Sequence, residues 1–160
     1  MPSKKTSHTI DEIYKKISRL CAKKELSEYD ALQYLKKFKI SPQETLSILQ
    51  KLKVDNFIDN RRFVRAFIHD KLKFNHWGKH KILSRLQQKK IPRNLSEKIW
   101  NETVNENEYL NIMKIEIFKK SGHRKNLNPS QRLAIFRYMV GKGFEQEKIL
   151  NLMQQLFNVE

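Results

Sequence analysis

Lysine and arginine are the residues whose number and spacing give this chain something to do. Between Asp59 and Ile91 the stretch DNRRFVRAFIHDKLKFNHWGKHKILSRLQQKKI carries Arg61, Arg62, Arg65, Lys71, Lys73, Lys79, Lys81, Arg85, Lys89 and Lys90, with Arg93 just beyond. Only Asp59 and Asp70 oppose them. The apolar residues in between recur at helical intervals, so the charges belong to folded helices rather than to a tail. Lys81, Arg85 and Lys89 step by four, as do Arg61 and Arg65, and side chains at that interval share a helix face. A basic ridge of this kind neutralises a polyanion, either nucleic-acid phosphate or an acidic protein surface. Solvated helix faces are the bland reading of the same residues, but the local excess is larger than solubility requires. Arg62 and Arg65 equally admit a structural role, Arg62 by reaching back from the third helical position toward Asp59.

Other chemistry finds little support. His76 and His80 stand four apart with His69 and Asp70 nearby, yet Gly78 interrupts the helix that would align them, and no cysteine or further acid completes a metal set. There is no glycine-rich phosphate loop, no serine in a nucleophile elbow, and no carboxylate pair in an apolar setting. The sequence therefore predicts a protein that is not an enzyme and needs no cofactor. Trp77 has two readings, a ring that stacks on a base or partner, or a lid over the core. Cys21 falls on an apolar helix stripe and reads as a small buried hydrophobe. His123, Arg124 and Lys125, in a basic connector, are either phosphate contacts or solubilising loop residues.

The elements that must position the ridge are helices. In 160 residues there are four Gly and four Pro, no Asn-Gly or Asp-Gly hairpin signal and no sustained alternation, which predicts an all-α chain. Basic residues number 33 against 17 acidic ones, a net charge of +16. No apolar run approaches the roughly 18 residues of a membrane span, and the first residues lack a signal-peptide core, so a cytoplasmic protein without a membrane partner is expected.

Cap signals divide the chain. Ile10, Ile13, Ile17 and Leu20 stripe a first helix. Ser27 caps a second bearing Ala31, Leu32, Leu35 and Phe38. Ser41-Pro42 with Glu44 opens a third, whose inward residues are read as Leu46, Leu49, Leu52 and Val54. Asp59 caps the next, with Phe63, Val64, Phe67, Ile68 and Leu72. After the interruption at residues 75–78 come Ile82, Leu83 and Leu86, then a helix with Leu95, Ile99, Trp100 and Val104. A seventh helix carries Tyr109, Leu110, Met113, Ile117 and Phe118, followed by a polar connector from Lys119 to Asn126. Asn128, Pro129 and Gln131 start an eighth, read with Leu133, Phe136 and Val140 inward, and Gly143 ends it before a last helix with Ile149, Leu152, Met153 and Leu156. The segments Leu35 to Ile40, Leu86 to Ile91 and Met139 to Phe144 end alike, roughly fifty residues apart, which points to three tandem three-helix repeats. The expected organisation is a flexible basic N-terminus at 1–9 and repeats at 10–56, 57–104 and 105–160.

The central repeat resembles the RecX family, regulators of the bacterial recombinase RecA. The matching residues are Phe57-Ile58-Asp59, Arg62-Phe63, Arg65-Ala66-Phe67-Ile68, the basic run through Lys71 and Lys73, Gly78, Lys81-Ile82, and Leu86 leading to Lys90-Ile91. They cover about a quarter of the chain, and the outer repeats agree in helix pattern and spacing. Members commonly have a Gly-aromatic-Gly turn, whereas this chain has Asn75-His76-Trp77-Gly78, read as one residue longer. The resemblance implies an elongated, curved array of three-helix repeats. It also implies a monomer that binds along the groove of the RecA filament, lowers its ATPase, strand-exchange and coprotease activities, and has some affinity for single- or double-stranded DNA. A helical protein that binds nucleic acid without a recombinase is the alternative, and a helical adaptor for an acidic protein is a third reading.

Overall fold

The computed structural model describes residues 8–157. Among these the chain forms nine α-helices and one 3-10 turn, with no strand. The flexible tail expected at residues 1–9 lies outside the described residues except for His8 and Thr9, and Thr9 caps the first helix. The helices fall into two compact units, one ending at Val64 and the other beginning at Arg65.

In the first unit α1 (Ile10–Lys23), α2 (Glu28–Leu35) and α3 (Pro42–Val54) pack on one another. Each begins with a reciprocal cap: Thr9 with Glu12, Ser27 with Asp30, and Ser41 with Glu44. Such a cap satisfies amides that the helix leaves open and contributes about 1 kcal/mol. Ile13, Ile17, Ala31, Leu35, Ile48, Leu49, Leu52 and Ile58 form the core, with Cys21 packed half-buried at its edge. Burial raises the Cys21 thiol pKa, as its place on the apolar stripe implies.

The helix α4 (Asn60–Lys73) starts at Asp59, whose carboxylate accepts from the amides of Arg61 at 2.8 Å and Arg62 at 3.2 Å. In the second unit follow α5 (Lys79–Gln88), α6 (Arg93–Thr103), α7 (Glu106–Ser121), α8 (Pro129–Gly141) and α9 (Gln146–Phe157). α5 packs on α6, and α7, α8 and α9 pack together. Tyr109 joins these groups, its ring 5.2 Å from Trp100 and 5.6 Å from Phe144. The expected cap at Asn128, Pro129 and Gln131 is present.

The repeated ending of the second helix in each triplet has a backbone cause. Lys39, Lys90 and Gly143 all adopt left-handed φ, at 52°, 60° and 94°. Each precedes an apolar residue: Ile40, Ile91 and Phe144. The amides of Ile91 and Phe144 return to the carbonyls of Leu86 and Met139, closing the turn that ends a helix and folds the next apolar residue inward.

Three parts of the sequence reading are corrected. Leu46 and Val54 are 65% and 73% exposed, while Ile48, Leu49 and Leu52 are buried. Leu133 is 47% exposed, with Phe136 and Val140 half-buried, while Ile135 and Met139 are buried. In both helices the misread leucine lies two positions before the first buried isoleucine, about 200° around the helix and so on its far side. The basic connector is shorter than expected, because α7 runs on to Ser121.

Gly78 and Gly143 permit a close backbone approach within the second unit. A Cβ on Gly78 would overlap the backbone of Gly143 and Phe144, and one on Gly143 would overlap Lys81. Nothing lies within 4 Å of the corresponding position on Gly141. Gly78→Ala is therefore expected to lower the unfolding free energy by about 3 kcal/mol or more, while Gly141→Ala changes it by less than about 1 kcal/mol. Urea denaturation of the two variants measures this, and an equal effect would contradict the close approach.

Candidate functional site

The turn between α4 and α5 is built to hold Trp77 half-buried at the surface. Trp77 donates its amide to the Lys71 carbonyl at 3.0 Å, and Gly78 donates to the Lys142 carbonyl at 2.8 Å. His80 donates its amide to the Gly143 carbonyl at 3.0 Å. The first amides of α5 thus bond to the α8–α9 turn, where a helix capped by Gly78 has no side-chain cap of its own. The amide of Lys79 finds the Tyr109 hydroxyl at 3.0 Å, and that hydroxyl donates to Glu145 at 2.6 Å. Burial and the bond to Glu145 raise the Tyr109 pKa, so the phenol stays a donor.

Three of the ridge cations gather on Trp77. Lys81 Nζ stands 4.4 Å from the ring centroid, Lys71 Nζ 5.0 Å, and the Arg85 guanidinium 5.9 Å. Lys71 also lies 5.6 Å from Phe67, which is half-buried rather than fully in the core. The half-buried indole thus keeps three cations beside its ring.

The other expected site residues are placed differently. Arg62 does not reach Asp59 with its side chain. Its Nε donates to Glu25 at 2.7 Å, and its Nη atoms donate to the Asn56 side chain and to the Asn56 and Phe57 carbonyls. Those carbonyls belong to the left-handed turn at Asn56, φ 61°, so Arg62 staples that turn and its guanidinium is committed. Arg61 is exposed beside it in sequence. Arg65 lies 3.7 Å from Glu102, and Lys73 2.9 Å from Glu108. Lys79 lies 5.9 Å from the Trp100 ring centroid. Lys89 is the C-cap of α5, and Lys90 is exposed in its left-handed turn. The ridge is therefore not a straight row: Lys81 and Arg85 fold over Trp77, and Lys89 sits where the helix ends.

Among the described residues no group of three or more ligating side chains that could hold a metal occurs, and His76 is placed against a carboxylate on α7. It takes the left-handed conformation, φ 50°, which glycine adopts at least cost. Its Nδ1 lies 2.6 Å from Glu116 Oε1. Glu116, on α7, is 2% exposed. Its Oε2 accepts from the Tyr138 hydroxyl at 2.6 Å and lies 3.2 Å from Lys142 Nζ, which also donates to the Asn75 carbonyl. The Glu116 carboxylate thus holds His76 in a backbone conformation usually left to glycine.

Glu116, Tyr138 and Lys142 were absent from the sequence reading. Their signal was present: Met113, Glu116 and Ile117 follow the spacing of a buried stripe, and an acid at such a position requires buried partners.

Residues 59–98 match the family model for RecX, second three-helix domain. A regulatory protein RecX of Clostridium botulinum (strain Alaska E43 / Type E3) is 27% identical over 111 residues, 68% of this chain and 51% of the relative. The chain thus spans about half the length of that relative. One from Prosthecochloris aestuarii is 25% identical over 76% of this chain and 78% of its own. The crystal structure of RecX from Lactobacillus salivarius superposes with a TM-score of 0.80 at 15% identity, covering 94% of this chain and 97% of that one. That likeness concerns the fold.

Burial raises the Glu116 pKa, but hydrogen bonds from Tyr138, His76 and Lys142 outweigh it and bring the carboxyl from its ordinary 4.5 down to about 2. Because the folded value lies below the unfolded one, the ionised carboxylate stabilises the fold fully above about pH 4.5. That contribution, on the order of 3 kcal/mol, is lost as pH falls toward 2. Thermal melts from pH 6 to pH 2 are expected to fall more steeply for the wild type than for Glu116→Gln. Parallel curves would show that the carboxylate is not ionised in the fold.

Proposed function

We propose that the chain is a RecX-family regulatory protein, not an enzyme, that binds the cytoplasmic RecA recombinase filament and lowers its activity. The observation that carries this reading is the family match over residues 59–98, the stretch in which the basic residues are concentrated. Regulation of this kind requires only differential binding. A protein that docks along the filament groove and holds successive protomers in one arrangement shifts them away from the motions of ATP turnover. Lys81 and Arg85, gathered on Trp77, present charge to a groove containing DNA phosphate and acidic protein surface. Arg61 and Lys90, both exposed, add to it.

The test is the DNA-dependent ATPase and strand exchange of the cognate recombinase, with the purified protein at modest excess. Inhibition of both is expected, and unchanged rates at every ratio would overturn the proposal. Lys81→Glu with Arg85→Glu, in a variant whose melting temperature matches the wild type, is expected to raise the concentration for half-inhibition about tenfold or more. Full potency in that variant would move the interface elsewhere.

A further inference from the structure

Leu46 and Val54 are apolar residues that the core of the first unit does not use. They are 65% and 73% exposed on α3. The large apolar residues exposed among the described residues are these two, Phe74, Ile115, Leu133 and Leu150, and α3 alone carries two of them. Gln50 lies midway between, so apolar, amide and apolar side chains follow at intervals of four along one helix face. A lone exposed apolar residue needs no explanation, whereas two on one face with no charge between them form a surface suited to contact.

This face is neutral in a strongly charged chain. Gln43, Leu46, Ser47, Gln50 and Val54 are all exposed and fill an arc of roughly 100° on the side of α3 opposite Ile48, Leu49 and Leu52. The cations on its two flanks are drawn back onto their own bundle: Lys53 Nζ lies 2.8 Å from Glu28, and Lys51 Nζ lies 4.2 Å from the centroid of the Tyr14 ring. Charged residues make up 31% of the chain and sum to +16, so two copies repel one another as whole molecules. On the α3 arc that repulsion has no local source.

We propose that α3 is a self-association surface, on which a second copy of this chain pairs antiparallel about a two-fold axis through Gln50. The occupant follows from the symmetry of the face. A two-fold contact sets residue i on residue j and j on i. With Gln50 on the axis, Leu46 of each copy meets Val54 of the other, so one operation covers both apolar residues. The two Gln50 carboxamides meet each other, and a carboxamide is self-complementary, with N–H donors and a carbonyl acceptor. A polyanion or an acidic partner finds no cation on this arc. One helix face buries less than about 1,200 Å² in total, so the pair is weak and reversible. The proposal departs from the monomer that the family resemblance implies, and it does not rest on the recombinase reading.

The experiment is sedimentation equilibrium of nuclease-treated protein at about 0.1 M and about 1 M salt. A monomer–dimer equilibrium is expected, with a dissociation constant about threefold or more lower at the higher salt, because screening removes the repulsion between two +16 chains. Association through bound nucleic acid weakens with salt instead. Gln50→Lys sets two like charges on the axis and is expected to raise the dissociation constant about tenfold or more. Gln154→Lys makes the same charge change on an exposed α9 residue and is expected to stay within about twofold. In a Cys21→Ala background, oxidised glutathione is expected to link Gln50→Cys into a covalent dimer about tenfold or more faster than Gln154→Cys, which reads the same face without adding charge. A monomer at both salts, association that weakens with salt, equal losses in the two lysine variants, or equal rates of linking would each overturn the proposal. Such a result leaves the recombinase assay untouched, so the two readings fail independently.

Discussion

The backbone contact between the α4–α5 turn and the α8–α9 turn is the constraint on which the second unit depends. Two glycines make it possible, because any Cβ at Gly78 would meet the main chain of Gly143 and Phe144. The amides at the start of α5, left open by a helix without a side-chain cap, find their acceptors across that contact. Trp77 is placed by the same turn, and the cations of α5 take their positions from Trp77. A structural requirement, satisfying buried amides, thereby fixes where positive charge is presented.

Glu116 secures this contact from below, and it does so with a charge inside a strongly basic protein. Burying a lone carboxylate is costly, and the cost is offset only when its oxygens are satisfied by good donors. Here a phenol, an imidazole and an ammonium satisfy them, and the ionised form is favoured despite burial. The Tyr138 hydroxyl is correspondingly held protonated, its pKa raised to about 12 by burial and by the bond to Glu116. The network also explains how His76 keeps a left-handed backbone conformation, since its ring is anchored by the carboxylate. Among the described residues no buried side-chain polar atom lacks a partner.

The basic residues divide into those that serve the fold and those that serve the surface, although their sequence context looks alike. Arg62 uses its planar guanidinium to close the carbonyls of the turn after α3, a geometry that lysine could not reproduce. Lys81 and Arg85 close no backbone turn and lie against an indole, with Arg85 also donating to the Gln88 side chain at 3.1 Å on the exposed face of α5. The lysines at Lys39 and Lys90 occupy left-handed turns where the third repeat has Gly143. The repeats therefore share a backbone solution more closely than they share residues.

What the sequence determined by itself was local. Helix starts at Ser27, Ser41, Asp59 and Asn128, the left-handed ending at Gly143, the all-α class and the concentration of charge between Asp59 and Ile91 all depend on residues within a few positions of one another. Cap chemistry and helical periodicity act over that range. Which side of α3 and α8 turns inward was misread at Leu46 and Leu133, because apolar spacing alone leaves the inward arc open until a neighbour covers it. The tertiary structure alone decided the rest: Arg62 bonds to Glu25, 37 residues away in the chain, and His76 to Glu116, 40 residues away. The sequence marks such residues as polar and does not say which distant partner makes their burial favourable.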